Sequence, residues 1–216
     1  MDNYITYDFI AEYLKNTVKK ESDFLEELYS YARENHIPVI QREAGRFLGF
    51  LVGLTGAETI LEVGTAIGYS ALVMYDASGK KAKITTIERD EEMFLNARLN
   101  IKKYDAKKNI KTVFGDAEEE LDKIEGLFDM IFIDAAKGQS GIFFEKCLSK
   151  IKKGGLIVTD NVLYGGMIAS DELAKKKHKT ITYKMRDFLT MLCSSDNFDT
   201  AIIPIGDGMA LTRVKG

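Results

Sequence analysis

From residue 58 onward, short and nearly continuous apolar runs alternate with longer amphipathic stretches, and this alternation most constrains the fold. The runs are 59–63 (TILEV), 84–87 (ITTI), 110–114 (IKTVF), 130–133 (MIFI) and 156–159 (LIVT). Strands that read as unbroken apolar segments are buried on both faces, as in a parallel sheet covered by helices. Strand, helix and strand at this spacing predict βαβ units, hence a doubly wound, mostly parallel α/β sheet. The end of the chain differs. Residues 201–205, then Gly206-Asp207-Gly208, then 209–212 read as a hairpin, an antiparallel edge on the parallel sheet. The first 55 residues carry apolar residues at three- and four-residue spacing (Ile5, Phe9, Ile10, Tyr13, Leu14, Val18; then Phe24, Leu25, Leu28, Tyr31). They predict helices, with Ser22 as an N-cap, a break at Pro38 and a third helix over about 42–54. The expected organisation is one domain over 1–216, a helical extension (1–55) packed on an α/β core (56–216).

Composition narrows the class. With 30 basic and 33 acidic residues among 216, the net charge of −3 excludes a histone-like chain. Two cysteines, Cys147 and Cys193, without a CxxC pair exclude a disulfide framework and a cysteine zinc site, and fit a reducing, cytoplasmic setting. No apolar run reaches the roughly 20 residues of a membrane span, and the start lacks a basic-then-apolar leader. No membrane partner is expected.

In open α/β sheets, ligands bind beyond the carboxyl ends of the strands. The predicted ends are acidic: Glu62-Val63-Gly64, Glu88, Asp116, Asp134 and Asp160-Asn161. Any one acid could simply favour a helix N-terminus; five on one rim point to a site. The loop from Glu62 to Ser70 follows a strand and opens a helix. Ala66 stands where a dinucleotide loop has its second glycine, and no Gly-Lys-Ser/Thr follows, so pyrophosphate and P-loop chemistry are disfavoured. A ligand with an amine and a carboxylate suits such a loop, and Glu88 is placed to hold a ribose diol. Asp134, Asp160 and Asn161 offer hard oxygen donors suited to Mg²⁺ or another octahedral divalent cation, whereas two scattered histidines, His36 and His178, cannot build a zinc site. Asn161 alone would be a turn residue, and Lys137 alone a solvated lysine. Beside a divalent cation Lys137 can act as a general base.

These motifs resemble a known family. Residues 60–70 (ILEVGTAIGYS) are similar to the S-adenosylmethionine motif of class I methyltransferases. Thr86-Ile87-Glu88-Arg89-Asp90, Gly115-Asp116-Ala117, 132–139 (FIDAAKGQ) and Asp160-Asn161-Val162-Leu163 resemble the divalent-metal O-methyltransferases of the catechol and caffeoyl-CoA type. Within them, 35–40 (NHIPVI) and 200–208 (TAIIPIGDG) resemble the bacterial tRNA 5-hydroxyuridine methyltransferases. The resemblance implies a Rossmann-like methyltransferase fold, with S-adenosylmethionine held by Ile40, Glu62, Gly64, Ser70, Glu88, Asp116, Ala117 and Asp134. It further implies a metal on Asp134, Asp160 and Asn161, Lys137 as base, and a homodimer built on the amphipathic N-terminal helices.

The implied reaction methylates the 5-hydroxyl of 5-hydroxyuridine at the wobble position in the tRNA anticodon loop, giving 5-methoxyuridine. The alternative acceptor is a small catechol or caffeoyl-CoA-like molecule; both offer two neighbouring oxygens. Two departures from the tRNA branch stand at Gly165, where a basic residue is usual, and at Ser140, where an aromatic is usual. Between 165 and 192, six basic residues (Lys175, Lys176, Lys177, Lys179, Lys184, Arg186) oppose three acids (Asp171, Glu172, Asp187), a local +3 able to meet phosphates. A non-catalytic nucleotide-binding module would have no use for Asp134, Asp160 and Asn161 together.

Overall fold

A computed structural model describes residues 5–18, 20–135, 137–174 and 176–215, and of Asp8, Lys15 and Lys137 the backbone alone. Three helices come first: α1 (Asp8–Thr17), α2 (Asp23–Glu34) and α3 (Arg42–Thr55). Then β1 (Thr59–Val63), β2 (Lys83–Glu88), β3 (Ile110–Phe114), β4 (Phe128–Ile133) and β5 (Ile151–Thr159) alternate with α4 (Tyr69–Ala77), α5 (Glu91–Lys103), α6 (Ala117–Lys123) and α7 (Ser140–Leu148). Helix α8 (Lys179–Ser194) leads to the hairpin β6 (Phe198–Ile203) and β7 (Met209–Val214). The seven strands lie in the order β3-β2-β1-β4-β5-β7-β6, the first five parallel and the last two antiparallel. The doubly wound sheet with its antiparallel edge is the expected architecture.

Alternate strand residues feed opposite cores, which is why the runs look continuously apolar. Ile60, Met130 and Phe132 join the core beneath α2–α5, while Leu61, Val63, Ile131 and Ile133 join the one beneath α6–α8. Leu25, Leu28, Leu48 and Val52 of the N-terminal helices belong to the first of these cores, so the helical extension shares the core of the sheet. Strand β5 starts five residues before the predicted run, because Gly154-Gly155 hides its first half from an apolar-run criterion. Ser22 does sit at the N-cap of α2, but its hydroxyl makes no capping bond; it lies 3.4 Å from the Tyr104 hydroxyl. Among the described residues no helix is long and apolar enough to cross a membrane.

Candidate active site

Strand order reverses between β1 and β4, and a cleft of about 810 Å³ opens at their carboxyl ends, where open α/β sheets bind ligands. Its floor is the 64–66 turn. Gly64 has φ +100°, and a Cβ there would overlap the Asp134 carbonyl oxygen, so glycine is required for β1 and β4 to stay in register where they end. Gly64 N–H donates to Ile87 O and Asp134 N–H to Val63 O, which carries the sheet ladder into the site.

Glu88, at the end of β2, accepts four backbone N–H bonds. Oε2 takes Thr65 (3.2 Å) and Ala66 (2.8 Å), and Oε1 takes Arg89 and Asp90 (both 2.9 Å). It lines the cleft and also clamps the glycine turn to the start of α5. Asp116 N-caps α6 through Glu118 N–H (2.8 Å) and lines the cleft beside Ala117. For Asp116, helix capping and a place in the cleft coexist.

Ile40, Gly64, Ser70 and Asp134 also line the cleft. Glu62 does not: it is fully buried under the turn, because even-numbered β1 residues face α4. Thr86 donates to Glu62 Oε2 (2.6 Å) and shares a 2.5 Å bond with Thr65. Burial pushes the Glu62 carboxyl up to about 8, against the opposing pull of the Ser70 and Thr86 hydroxyls. Glu62 therefore stands beneath the cleft, behind the cleft-lining Thr65 and Ser70.

Asp134 follows β4, Asp160 follows β5, and Asn161 turns away from it. Asn161 has φ +63°, a conformation that Asn tolerates better than most residues. Its N–H donates to Asp160 Oδ1 (2.7 Å) and its Nδ2 to Asp134 Oδ1 (2.8 Å). All three line the cleft. Among the described residues no three His, Cys, Asp or Glu groups form a metal cluster; the triad reaches three donors only through the Asn amide. Two carboxylates and an amide oxygen fit a hard divalent cation. The side chain of Lys137 lies outside what is described; its backbone opens a short 3₁₀ turn, Lys137–Gln139, directly after this triad.

The hairpin supports the triad. Val162 N–H donates to Gly208 O, Leu163 N–H to Asp207 O and Gly165 N–H to Asp207 Oδ1. Gly165 has φ +61°, so the glycine that departs from the tRNA branch suits a tight turn. Asp207 also lines the cleft, as do Arg33, His36 and Phe143. None of these four was predicted as a site residue; the 35–40 motif contained His36 and the turn signal Gly206-Asp207-Gly208 contained Asp207. In the basic segment Lys175 lies outside the described residues, and Lys176, Lys177 and Lys179 are exposed. Arg186 is paired with Asp171 (2.7 Å), one of the three acids already counted in the segment's +3.

Residues 15–215 match the O-methyltransferase family. The catechol O-methyltransferase of Niastella koreensis is 31% identical over the whole of both chains, and tricin synthase 2 of Oryza sativa is 29% identical over 94% of this chain and 74% of its own length. Among solved structures, the S-adenosylhomocysteine-bound methyltransferase PaMTH1 of Podospora anserina superposes with a TM-score of 0.89 at 26% identity, covering 100% of this chain and 98% of that one. The O-methyltransferase TomG of Streptomyces achromogenes, in complex with S-adenosylmethionine, gives 0.83 at 25% identity over 97% of each chain.

Proposed function

The chain belongs to the O-methyltransferase family and is an S-adenosylmethionine-dependent enzyme, and from that premise we propose that it methylates one of two vicinal hydroxyls on a small catechol or hydroxycinnamoyl-type acceptor. The observation that carries this reading is the convergence of Asp134, Asp160 and Asn161 in one cleft with Glu88, Asp116 and Ala117. Two halves of one cavity then serve two reactants. The Glu88 end suits a ribose and a base, and the Asp134 end suits a chelating diol. Relatives carrying catechol and caffeoyl-CoA names, at about 30% identity, favour the small acceptor.

Methyl transfer from a sulfonium is an in-line displacement: the acceptor oxygen forms a bond to the methyl carbon as the carbon–sulfur bond breaks. Holding both reactants in line contributes on the order of 7–11 kcal/mol. In this reading Ile40, Gly64 and Ser70 hold the methionine portion and Glu88 the ribose, while Asp116 and Ala117 meet the adenine. Asp134, Asp160 and Asn161 would hold Mg²⁺ or another divalent cation, which supplies hydroxyl acidification and orientation of the acceptor. Lys137 accepts the hydroxyl proton.

A second reading keeps the chemistry and changes the acceptor to 5-hydroxyuridine in tRNA. It draws on the exposed Lys176 and Lys177, in the 3₁₀ turn that precedes α8, and Lys179, which begins α8; Ile181 of that helix lies 3.8 Å from where a Gly138 Cβ would stand. A homodimer is read on the exposed Tyr7 and Phe9 at α1 and Phe50 and Leu54 on α3. A paired assay separates the acceptors. Purified enzyme, S-adenosylmethionine and Mg²⁺ are offered caffeate, its monohydroxy analogue coumarate, and unmethylated tRNA. Turnover of caffeate alone supports the small-acceptor reading. Equal turnover of coumarate, or methylation of tRNA alone, overturns it.

A further inference from the structure

A second groove lies on the far edge of the sheet, away from the Asp134 end of the cleft. Strand β3 is the sheet's outer strand and pairs only with β2. The parallel register assigns its backbone groups. Ile84 N–H bonds Asn109 O and Gly115 N–H bonds Glu88 O, so the odd-numbered residues of this strand face β2. The N–H and C=O of Thr112 and Phe114 therefore point outward. Helix α5 overhangs this edge, and between them is a space of about 730 Å³, walled by Phe94, Leu95, Leu99, Ile110 and Thr112. Leu95, Leu99 and Phe114 are each about half exposed, and the Phe94 and Phe114 rings are in contact at 5.2 Å.

The rim is basic. Residues 94–114 hold six basic side chains (Arg98, Lys102, Lys103, Lys107, Lys108, Lys111) against a single acid, Asp105. Arg98, Lys102 and Lys107 line the groove, and neither these three nor Lys111 has an ion-pair partner among the described residues; Arg98 lies over the Phe94 ring at 5.6 Å. This +5 exceeds the +3 of residues 165–192.

We propose that this edge is a docking site for an extended, acidic segment of a partner protein, which adds to β3 as an eighth strand. Each feature has a counterpart in such a ligand. The outward Thr112 and Phe114 groups supply main-chain bonds, alternate apolar side chains of the ligand fill the space against Leu95 and Leu99, and its acids meet Arg98, Lys102 and Lys107. Lysines on an edge strand ordinarily discourage pairing. Here they repel a second copy of this chain, which would bring the same charges, and leave an acidic strand as the matching occupant. Glu91, Glu92 and Glu118 stand at the carboxyl end of β3, so the ligand's acids belong over its amino half.

The test is fluorescence anisotropy with a labelled peptide of about ten residues in which Glu alternates with Val. Binding should be saturable and salt-sensitive, and absent for the peptide with Lys in place of Glu. Arg98→Glu with Lys102→Glu should weaken it about tenfold or more. Thr112→Pro, tolerable on an edge strand, removes one outward N–H and should weaken it as well. In the wild-type protein, the Thr112 and Phe114 amides should become protected from hydrogen exchange when the peptide saturates. Equal binding of the Lys peptide, or no amide protection on saturation, overturns the proposal. So does tighter binding of oligouridylate that Thr112→Pro leaves unchanged, which would make the patch a nucleic-acid site. A dimer broken by Thr112→Pro would assign the edge to a second copy and overturn it equally.

Discussion

The Asn161 amide nitrogen donates to Asp134 Oδ1 over 2.8 Å, joining the ends of β5 and β4 across the cleft. In this arrangement the amide satisfies a carboxylate. Turned over about its terminal bond, the same amide presents its oxygen beside that carboxylate, the arrangement a hard cation requires. The triad is thus closed on itself by a bond that a cation would replace.

Divalent cation should therefore stabilise the folded protein. Mg²⁺ at a hundred times its dissociation constant is worth roughly 2.7 kcal/mol to the folded state. Thermal unfolding should show the increase in the wild type and lose it in Asp160→Ala. Turnover should stop in excess EDTA and return with Mg²⁺, while cofactor binding survives, because in the proposed reading the triad serves the acceptor. Full activity in EDTA would remove the metal from the proposal.

Glu88 clamps the glycine turn and, in the proposed reading, also holds the ribose, so its removal should have two effects. Each charge-assisted bond is worth roughly 1.5–3 kcal/mol, and Glu88→Ala frees the Thr65 and Ala66 amides and would remove the proposed ribose contacts. Calorimetry should show weaker S-adenosylmethionine binding, and thermal unfolding a less stable apoprotein. An unchanged cofactor affinity with lowered stability would leave Glu88 as a clamp alone.

The sheet was legible because burial on both faces imposes a signal that needs no tertiary information. β1 and β3 fall where the apolar runs put them, whereas β5 extends further, since Lys152, Lys153, Gly154 and Gly155 carry no apolar pattern. At the site, Gly64, Asp134, Asp160 and Asn161 could be read from their places after strands. Arg33 and His36 could not: Arg33 reaches the cleft from the last turn of α2, and His36 from the α2–α3 connection, which has no period to place it. Glu62 shows a different limit. Its position in the chain suggested a rim residue, while the two-residue period of β1 turns it into the core.

That burial gives Glu62 a pH signature. Its carboxyl is raised from 4.5 to about 8, so the folded state holds a proton that the unfolded chain releases. The resulting stability is fully present below about pH 4.5 and is lost as pH rises through 8. Glu62→Gln mimics the neutral form and should flatten the fall of stability between pH 5 and 8, as read by denaturant midpoints. An unaltered pH slope would mean that Glu62 is ionised in the fold.

The N-terminal helices leave Tyr7, Phe9, Tyr13, Phe50 and Leu54 between 63% and 75% exposed. These exposed apolar side chains are the surface proposed above for the homodimer. Phe50→Asp with Leu54→Asp should convert a dimer to a monomer in sedimentation velocity, with the fold retained by circular dichroism. A wild-type monomer would refute the homodimer, and a double variant that still dimerises would move its interface elsewhere.

Lys137 follows Asp134 by three residues and opens the 137–139 turn against α8. In the proposed role of base, it would have to be neutral when the acceptor hydroxyl loses its proton. Lys137→Met keeps most of the volume and removes the acceptor of the proton, so kcat should fall by about 10²–10⁴ while KM for the cofactor stays. The pH–rate profile decides the role. In the wild type, activity should rise as the ammonium deprotonates, and the variant should lose that limb and follow the acidity of the acceptor hydroxyl alone. If the variant keeps the wild-type limb at reduced rate, Lys137 positions the acceptor and the proton leaves by another route.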